Sequence, residues 1–156
     1  MMKKILFVCL GNICRSPLAE GVFLKIAYDK GLATKYTADS CGTAAYHIGE
    51  KPDSRAIKTA KQYGIDLNHV GRQIKPKDLD DFTLILVMDR ENLHNTLKLS
   101  SPTNKHKIKL LRDYEPFSFN DAEVPDPYYG GQSGFEEVYE IAYRCCENLI
   151  TQLEKT

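Results

Sequence analysis

One stretch near the start constrains this chain more than any other: an apolar run breaks into a short Gly/Asn/Cys/Arg loop and then into a helical pattern. Ile5-Leu6-Phe7-Val8 is a continuous run of β-formers and reads as a strand buried on both faces. From Pro17 to Tyr28 the pattern is helical, with Ser16 placed to act as N-cap and Pro17 at the first helical position, where a missing N–H costs nothing. The intervening loop, Cys9-Leu10-Gly11-Asn12-Ile13-Cys14-Arg15-Ser16, therefore joins a strand to a helix N-terminus. Turn N–H groups and the positive end of a helix dipole converge there, which makes an anion site.

Two side chains of the loop suit a phosphate. Arg15 can hold two of its oxygens with a planar fork. Cys9 faces the same N–H groups, a setting that favours the thiolate, and a thiolate beneath a phosphate is a nucleophile aimed at phosphorus. Taken alone, Cys9 reads first as a buried core cysteine beside an ordinary turn; Arg15, Ser16 and the strand–helix context together turn the reading to a nucleophile. The loop lacks the Gly-Lys-Ser/Thr ending of a nucleotide-binding loop, which argues against an ATPase.

Composition narrows the partners. In 156 residues, 21 Lys and Arg balance 21 Asp and Glu, so the net charge offers no footprint for nucleic acid or an anionic membrane. The apolar run of the N-terminus is interrupted too early by Asn12 and Arg15 to serve as a signal peptide, and nothing approaches membrane-spanning length. Five cysteines (Cys9, Cys14, Cys41, Cys145 and Cys146) form an odd set without a Cys-x2-Cys pair, which points to a reducing, cytoplasmic setting and away from a zinc site.

The rest alternates strand and helix. Lys35–Ser40 reads as a second strand ending in the turn Ser40-Cys41-Gly42-Thr43, so a βαβ unit is complete within 45 residues and brings Ser40 to the edge that carries Cys9. Tyr46 lies in a loop and reads equally as a surface aromatic or as a pocket wall. A helix follows from Asp53, its N-cap, to Tyr63, with Gly64 as the stop and Ala56, Ile57, Ala60 and Tyr63 on one face. His69, in an irregular stretch, reads as a hydrogen-bonded structural residue. Thr83–Met88 is a third strand, with Asp89 capping the next helix and a minor site role open to it. Lys107–Leu111 is a fourth strand, and Ser133–Leu153 a closing helix in which Cys145 and Cys146 pack. From Arg112 to Gly134 runs a turn-rich segment of 23 residues, long enough to suggest function. Within it Asp126 stands between Pro125 and Pro127, which restrict the backbone on both sides. It reads as a solvated Asp in a rigid turn or as a catalytic acid. Asp121 and Glu123 are nearby carboxylates without that context.

The Cys-x5-Arg-Ser spacing after a strand, together with Ser40-Cys41-Gly42-Thr43, His69 with Arg72-Gln73, Val87-Met88-Asp89 and Asp126-Pro127-Tyr128-Tyr129-Gly130, resembles the low-molecular-weight protein tyrosine phosphatases from Ile5 to about Leu149. The resemblance implies a single α/β domain over residues 1–156. Its sheet would be a small, twisted, parallel one of four strands with helices on both faces, Rossmann-like, with the phosphate loop after the first strand. It implies that Cys9 is the nucleophile, that Arg15 and the N–H groups of residues 10–16 bind phosphate, and that Asp126 is the general acid. Ser16 would hydrogen-bond the thiolate, and Asn12, held by Ser40 and His69, would keep the loop bent. Tyr46, Tyr128 and Tyr129 would wall a slot for an aromatic ring. Cys41 stands where many members have Ala, a near-isosteric change.

The expected reaction is hydrolysis of phosphotyrosine in proteins, and of small aryl phosphates, through a phosphocysteine, with no cofactor or metal and with phosphate and other oxyanions as inhibitors. Two related activities are alternatives. A thioredoxin-coupled arsenate reductase needs further cysteines, and this chain has none between Cys41 and Cys145. Protein arginine phosphatases typically carry Thr where Ile13 stands, and an apolar Ile13 suits an aryl ester. Peroxide is expected to join Cys9 to Cys14, since both lie in one curled loop; the simpler reading of Cys14 is packing under the loop.

Overall fold

A computed structural model describes residues 2–117 and 122–156; Asp121 lies outside the described residues. Four parallel strands, β1 (Lys3–Cys9), β2 (Tyr36–Gly42), β3 (Leu84–Val87) and β4 (Ile108–Leu110), form one sheet in the order β2-β1-β3-β4. The helices are α1 (Arg15–Asp29), α2 (Ser54–Gln62), α3 (Pro76–Asp81), α4 (Arg90–Leu97) and α5 (Gln132–Glu154).

The apolar run of β1 is explained by burial on both sides. Ile5, Phe7 and Cys9 point with Leu84, Leu86 and Met88 into a core closed by α1 and α5, through Leu18, Val22, Phe23, Val138, Cys145, Cys146 and Leu149. Leu6 and Val8 point the other way with Ile85, Val87, Ile108 and Leu110, against Leu79 and Phe82 at α3 and Leu93 of α4. Period-2 alternation thus feeds two apolar layers instead of one apolar and one wet face. Cys41, wholly buried, belongs to the second layer.

The chain builds β2 on one side of β1 and then crosses to build β3 and β4 on the other. The order of strands reverses beside β1, so the crevice beyond its carboxyl end is where such a sheet receives a ligand. Cys9 is the last residue of that strand.

Most element boundaries follow the sequence reading to within a residue or two. Asp53 caps α2, accepting from the N–H of Arg55, and Gly31 and Gly64 follow their helices at φ +73° and +76°. Two readings need correction. Ser16 is not an N-cap: α1 begins at Arg15, with Cys14 at the cap position and no side-chain cap, because the Ser16 hydroxyl is taken by Cys9 and Asn12. Tyr63 is not part of the buried face of α2; it is exposed and stacks on Tyr139 at 3.6 Å. Among the described residues no helix is long and apolar enough to cross a membrane.

Candidate active site

The site grows from the loop between β1 and α1. Cys9 Sγ is 2% exposed and sits 3.0 Å from Ser16 Oγ, and it accepts from the N–H of Asn12 at 3.3 Å. Asn12 holds the bend. Its backbone is left-handed, φ 59°, a conformation Asn tolerates better than most residues. Its side chain is 1% exposed and every polar atom is used. The Arg72 N–H donates to Oδ1 at 3.0 Å, and His69 Nε2 is 2.6 Å from the same oxygen. Because a backbone N–H can only donate, that oxygen is the acceptor end of the amide. Nδ2 therefore donates to Ser40 Oγ at 3.0 Å and to Ser16 Oγ at 2.9 Å. Ser16 accepts from Asn12, which leaves its own proton to point at the Cys9 sulfur.

Behind Asn12 lies a charged brace. His69 Nδ1 is 3.3 Å from Glu20 and 3.5 Å from Asp39, and Ser40 donates to Glu20 at 2.6 Å. Arg72 donates to Asp39 at 3.0 Å and pairs with Asp78. Burial pushes the Glu20 carboxyl up to about 7 and the His69 imidazolium below its usual range. Both directions fit one proton held between the two groups. Glu20, Asp39 and His69 are the donors close enough together to hold a metal ion among the described residues, but they already brace Asn12.

β2 supports the loop from the side. Thr43 N–H donates to the Cys9 carbonyl and Ala44 N–H to that of Leu10, at 2.9 and 3.0 Å. A Cβ at Gly42 would lie 2.7 Å from the Leu10 oxygen, so the turn approaches the loop closely only because residue 42 is Gly.

Arg15 is only 3% exposed and anchored at one corner: Nη1 donates to Asp89 at 2.7 Å and to the Val124 carbonyl at 3.0 Å. Among the described residues no hydrogen bond takes up its Nε or Nη2. Asp89 also caps α4 through the Asn92 N–H, so the capping role expected of it is joined by a direct contact with Arg15. Asp126 Oδ2 lies 3.7 Å from Arg15 Nη2, and its Oδ1 accepts the Tyr128 N–H at 3.0 Å. One cavity of about 210 Å³ is lined by Cys9, Ile13, Arg15 and Asp126, with Tyr46, His47, Tyr128 and Tyr129 at its walls. Tyr129 is 96% exposed and meets Tyr128 edge-on at 5.0 Å.

Every sequence-predicted site residue thus falls on this cavity or on the network beneath it. Sequence reasoning missed His47, whose ring stands between Tyr46 and Tyr128 at 6.5 and 6.4 Å. It also missed Glu20 and Arg55. Only their placement in space connects them to the loop; a lone His, Glu or Arg carries no signal of its own.

Residues 4–156 match the family model of the low molecular weight phosphotyrosine protein phosphatases. The chain belongs to this phosphatase family. It is 45% identical to the human low molecular weight phosphotyrosine protein phosphatase over 150 residues, covering 95% of this chain and 94% of that one. A protein tyrosine phosphatase from Entamoeba histolytica superposes with a TM-score of 0.94 at 42% identity, over 98% of this chain and 97% of the other. The Drosophila arginine phosphatase is more distant, with a TM-score of 0.90 at 33% identity, over 97% and 98%.

Proposed function

We propose that this protein is a cysteine-dependent phosphotyrosine phosphatase that acts as one catalytic unit over residues 1–156 and works in the cytoplasm. The observation that supports it most is the convergence of Cys9, Arg15 and Asp126 on one cavity, with Ser16 and the Asn12 N–H directed at the sulfur. All five cysteines are unpaired, which suits a reducing compartment.

In the first step the Cys9 thiolate attacks phosphorus and the bond to the phenolic oxygen breaks. That oxygen takes the proton of Asp126, so tyrosine leaves neutral and Cys9 carries the phosphoryl group. In the second, Asp126, now a carboxylate, accepts a proton from the water that attacks phosphorus. The S–P bond breaks, the thiolate returns and phosphate leaves. Arg15 and the N–H groups of residues 10–16 follow the charge on the equatorial oxygens, so neither step calls for a metal. Asp126 must be protonated first and ionised second, which gives a mildly acidic optimum. Free phosphate and vanadate bind the same cradle and inhibit.

Specificity follows from depth and walls. Cys9 lies at the floor, and a phenolic ester carries its phosphorus far enough from the peptide to reach it. Tyr46, Tyr128 and Tyr129 flank the ring. The arginine phosphatase reading has a structural neighbour to support it, but Ile13 lines the cavity with an apolar side chain that suits an aryl ester better than a guanidinium. The test compares phosphotyrosine, phosphoserine and phosphoarginine peptides in the presence of a chelator. Phosphotyrosine should be hydrolysed fastest, and Tyr46→Ala should lower kcat/KM for it. A preference for phosphoarginine, or indifference to Tyr46→Ala, contradicts the slot.

A further inference from the structure

The geometry points to Arg55 as a positioning residue that sets the acid loop against the phosphate loop. This rests on the reading of Asp126 as general acid. Arg55 is the second residue of α2 and makes four side-chain hydrogen bonds. Nε and Nη2 form a fork on Asp53, at 3.0 and 2.9 Å. Nη2 also donates to the Tyr128 carbonyl at 2.9 Å, and Nη1 to the Gly130 carbonyl at 2.9 Å. The guanidinium lies 4.7 Å from the Phe135 ring centre and 5.7 Å from that of Tyr128. Asp53 in turn donates its N–H to the Ile13 carbonyl of the phosphate loop at 2.8 Å. A continuous path therefore runs from Ile13 through Asp53 and Arg55 to the backbone on the far side of Asp126.

The acid loop needs such a tie. Its other anchor is upstream, where the Val124 N–H donates to Met88 and the Val124 carbonyl accepts from Arg15. Beyond that point the hydrogen bonds of Pro127, Tyr128 and Gly130 among themselves are local turns, and Asp126 is half exposed. Among the described residues, the hydrogen bonds that join residues 125–131 to a segment distant in sequence come from Arg55. A planar fork with a fixed spread meets a carboxylate and two carbonyls at once; the single ammonium of lysine does not. Among the described residues no hydrogen bond joins Arg55 to the cradle or to Cys9, Arg15 or Asp126, so its effect runs through the placement of the Asp126 carboxyl and the Tyr128 ring.

The placement of an acid matters most when the leaving oxygen needs its proton. The test is kcat/KM, which reports formation of the phosphoenzyme, for phenyl phosphate and for p-nitrophenyl phosphate. It is measured in Arg55→Ala, Arg55→Lys, Asp126→Ala and the Arg55→Ala/Asp126→Ala double variant. Arg55→Ala should lower kcat/KM about tenfold for phenyl phosphate and much less for p-nitrophenyl phosphate, because a small misplacement of the acid is costly only where the acid is used. Arg55→Lys should fall between. Inhibition by inorganic phosphate should hardly change. In the Asp126→Ala background, loss of Arg55 should add little. An equal loss for both substrates, a weakened phosphate inhibition, or a double variant slower by the product of the two single effects would overturn the proposal. Should Asp126→Ala alone show no dependence on the leaving group, the acid assignment fails first, and that outcome is visible without Arg55. If Arg55→Ala does not fold, Arg55→Lys and Asp53→Asn, which keeps the helix cap, are judged by the same criteria.

Discussion

Replacing Asn12 separates two things the phosphate loop asks of one residue: a left-handed backbone and a side chain that satisfies buried groups on three segments. Asn12→Ala removes the acceptor for the Arg72 N–H and for His69, and the donor to Ser16 and Ser40. Each buried donor left without a partner costs about 1–3 kcal/mol. Alanine at φ 59° adds about 1 kcal/mol of backbone strain. The site is almost wholly buried, so little of this is recovered by water, and the loss should reach about 3–5 kcal/mol, a large part of the stability of a domain this size. Asn12→Gly loses the same hydrogen bonds but relieves the strain. It also frees the unfolded chain, so it should recover only about 0.5–1 kcal/mol of the deficit. Urea unfolding with and without inorganic phosphate reads both effects. Phosphate should stabilise the wild type and do so much less in either variant, because a relaxed loop no longer presents its N–H groups together. Hydrolysis of p-nitrophenyl phosphate should fall by about two orders of magnitude. If both variants unfold within about 0.5 kcal/mol of wild type, or gain as much from phosphate, the network does not hold the loop and the reasoning is wrong.

Two further outcomes follow from the buried titratable groups. Glu20 is raised by burial from 4.5 to about 7, so the folded state binds the extra proton and stability drains away as pH rises across that interval. Glu20→Gln, which stays neutral, should therefore gain about 1–3 kcal/mol on wild type between pH 4.5 and pH 7, and a constant difference across the range argues against a protonated Glu20. Mild peroxide should join Cys9 to Cys14. Burial holds the Cys14 thiol far above its usual range, with the nearby Asp53 a smaller contribution, so Cys9 is the sulfur that oxidises first and Cys14 the one that resolves it. Peptide mapping reads the bond, phosphate should protect against it, and equal recovery of Cys14→Ser and wild type under dithiothreitol removes Cys14 from that role.

The two central strands were legible because they are buried on both faces, and a run such as Ile5–Val8 or Leu84–Val87 has few other uses. The helix ends were legible where glycine or a capping aspartate marks them, as at Asp53, Gly64 and Asp89. Ser16 was misread because a hydroxyl before Pro looks the same whether it caps a helix or faces a sulfur; the neighbour that decides it, Asn12, is fixed by residues up to 60 positions away. Asp89 reads from sequence as a cap with a minor site role open to it; that it holds Arg15 is a contact across 74 positions that no local pattern encodes. Arg55 was invisible for the same reason, since its partners Tyr128 and Gly130 offer only backbone carbonyls, which every residue has.

The central claim is that Cys9 carries the phosphoryl group between the two steps. Asp126→Ala should slow breakdown of that intermediate, because the attacking water loses its proton acceptor, while p-nitrophenyl phosphate still loads the sulfur without much help from an acid. Rapid acid quench of this variant after mixing with p-nitrophenyl phosphate, followed by mass spectrometry of the peptides, should find a phosphoryl group on the peptide containing Cys9, in an amount approaching one per site, and none in Asp126→Ala/Cys9→Ser. A phosphoryl group on any other residue, or turnover by Cys9→Ser at a rate near wild type, would contradict the account.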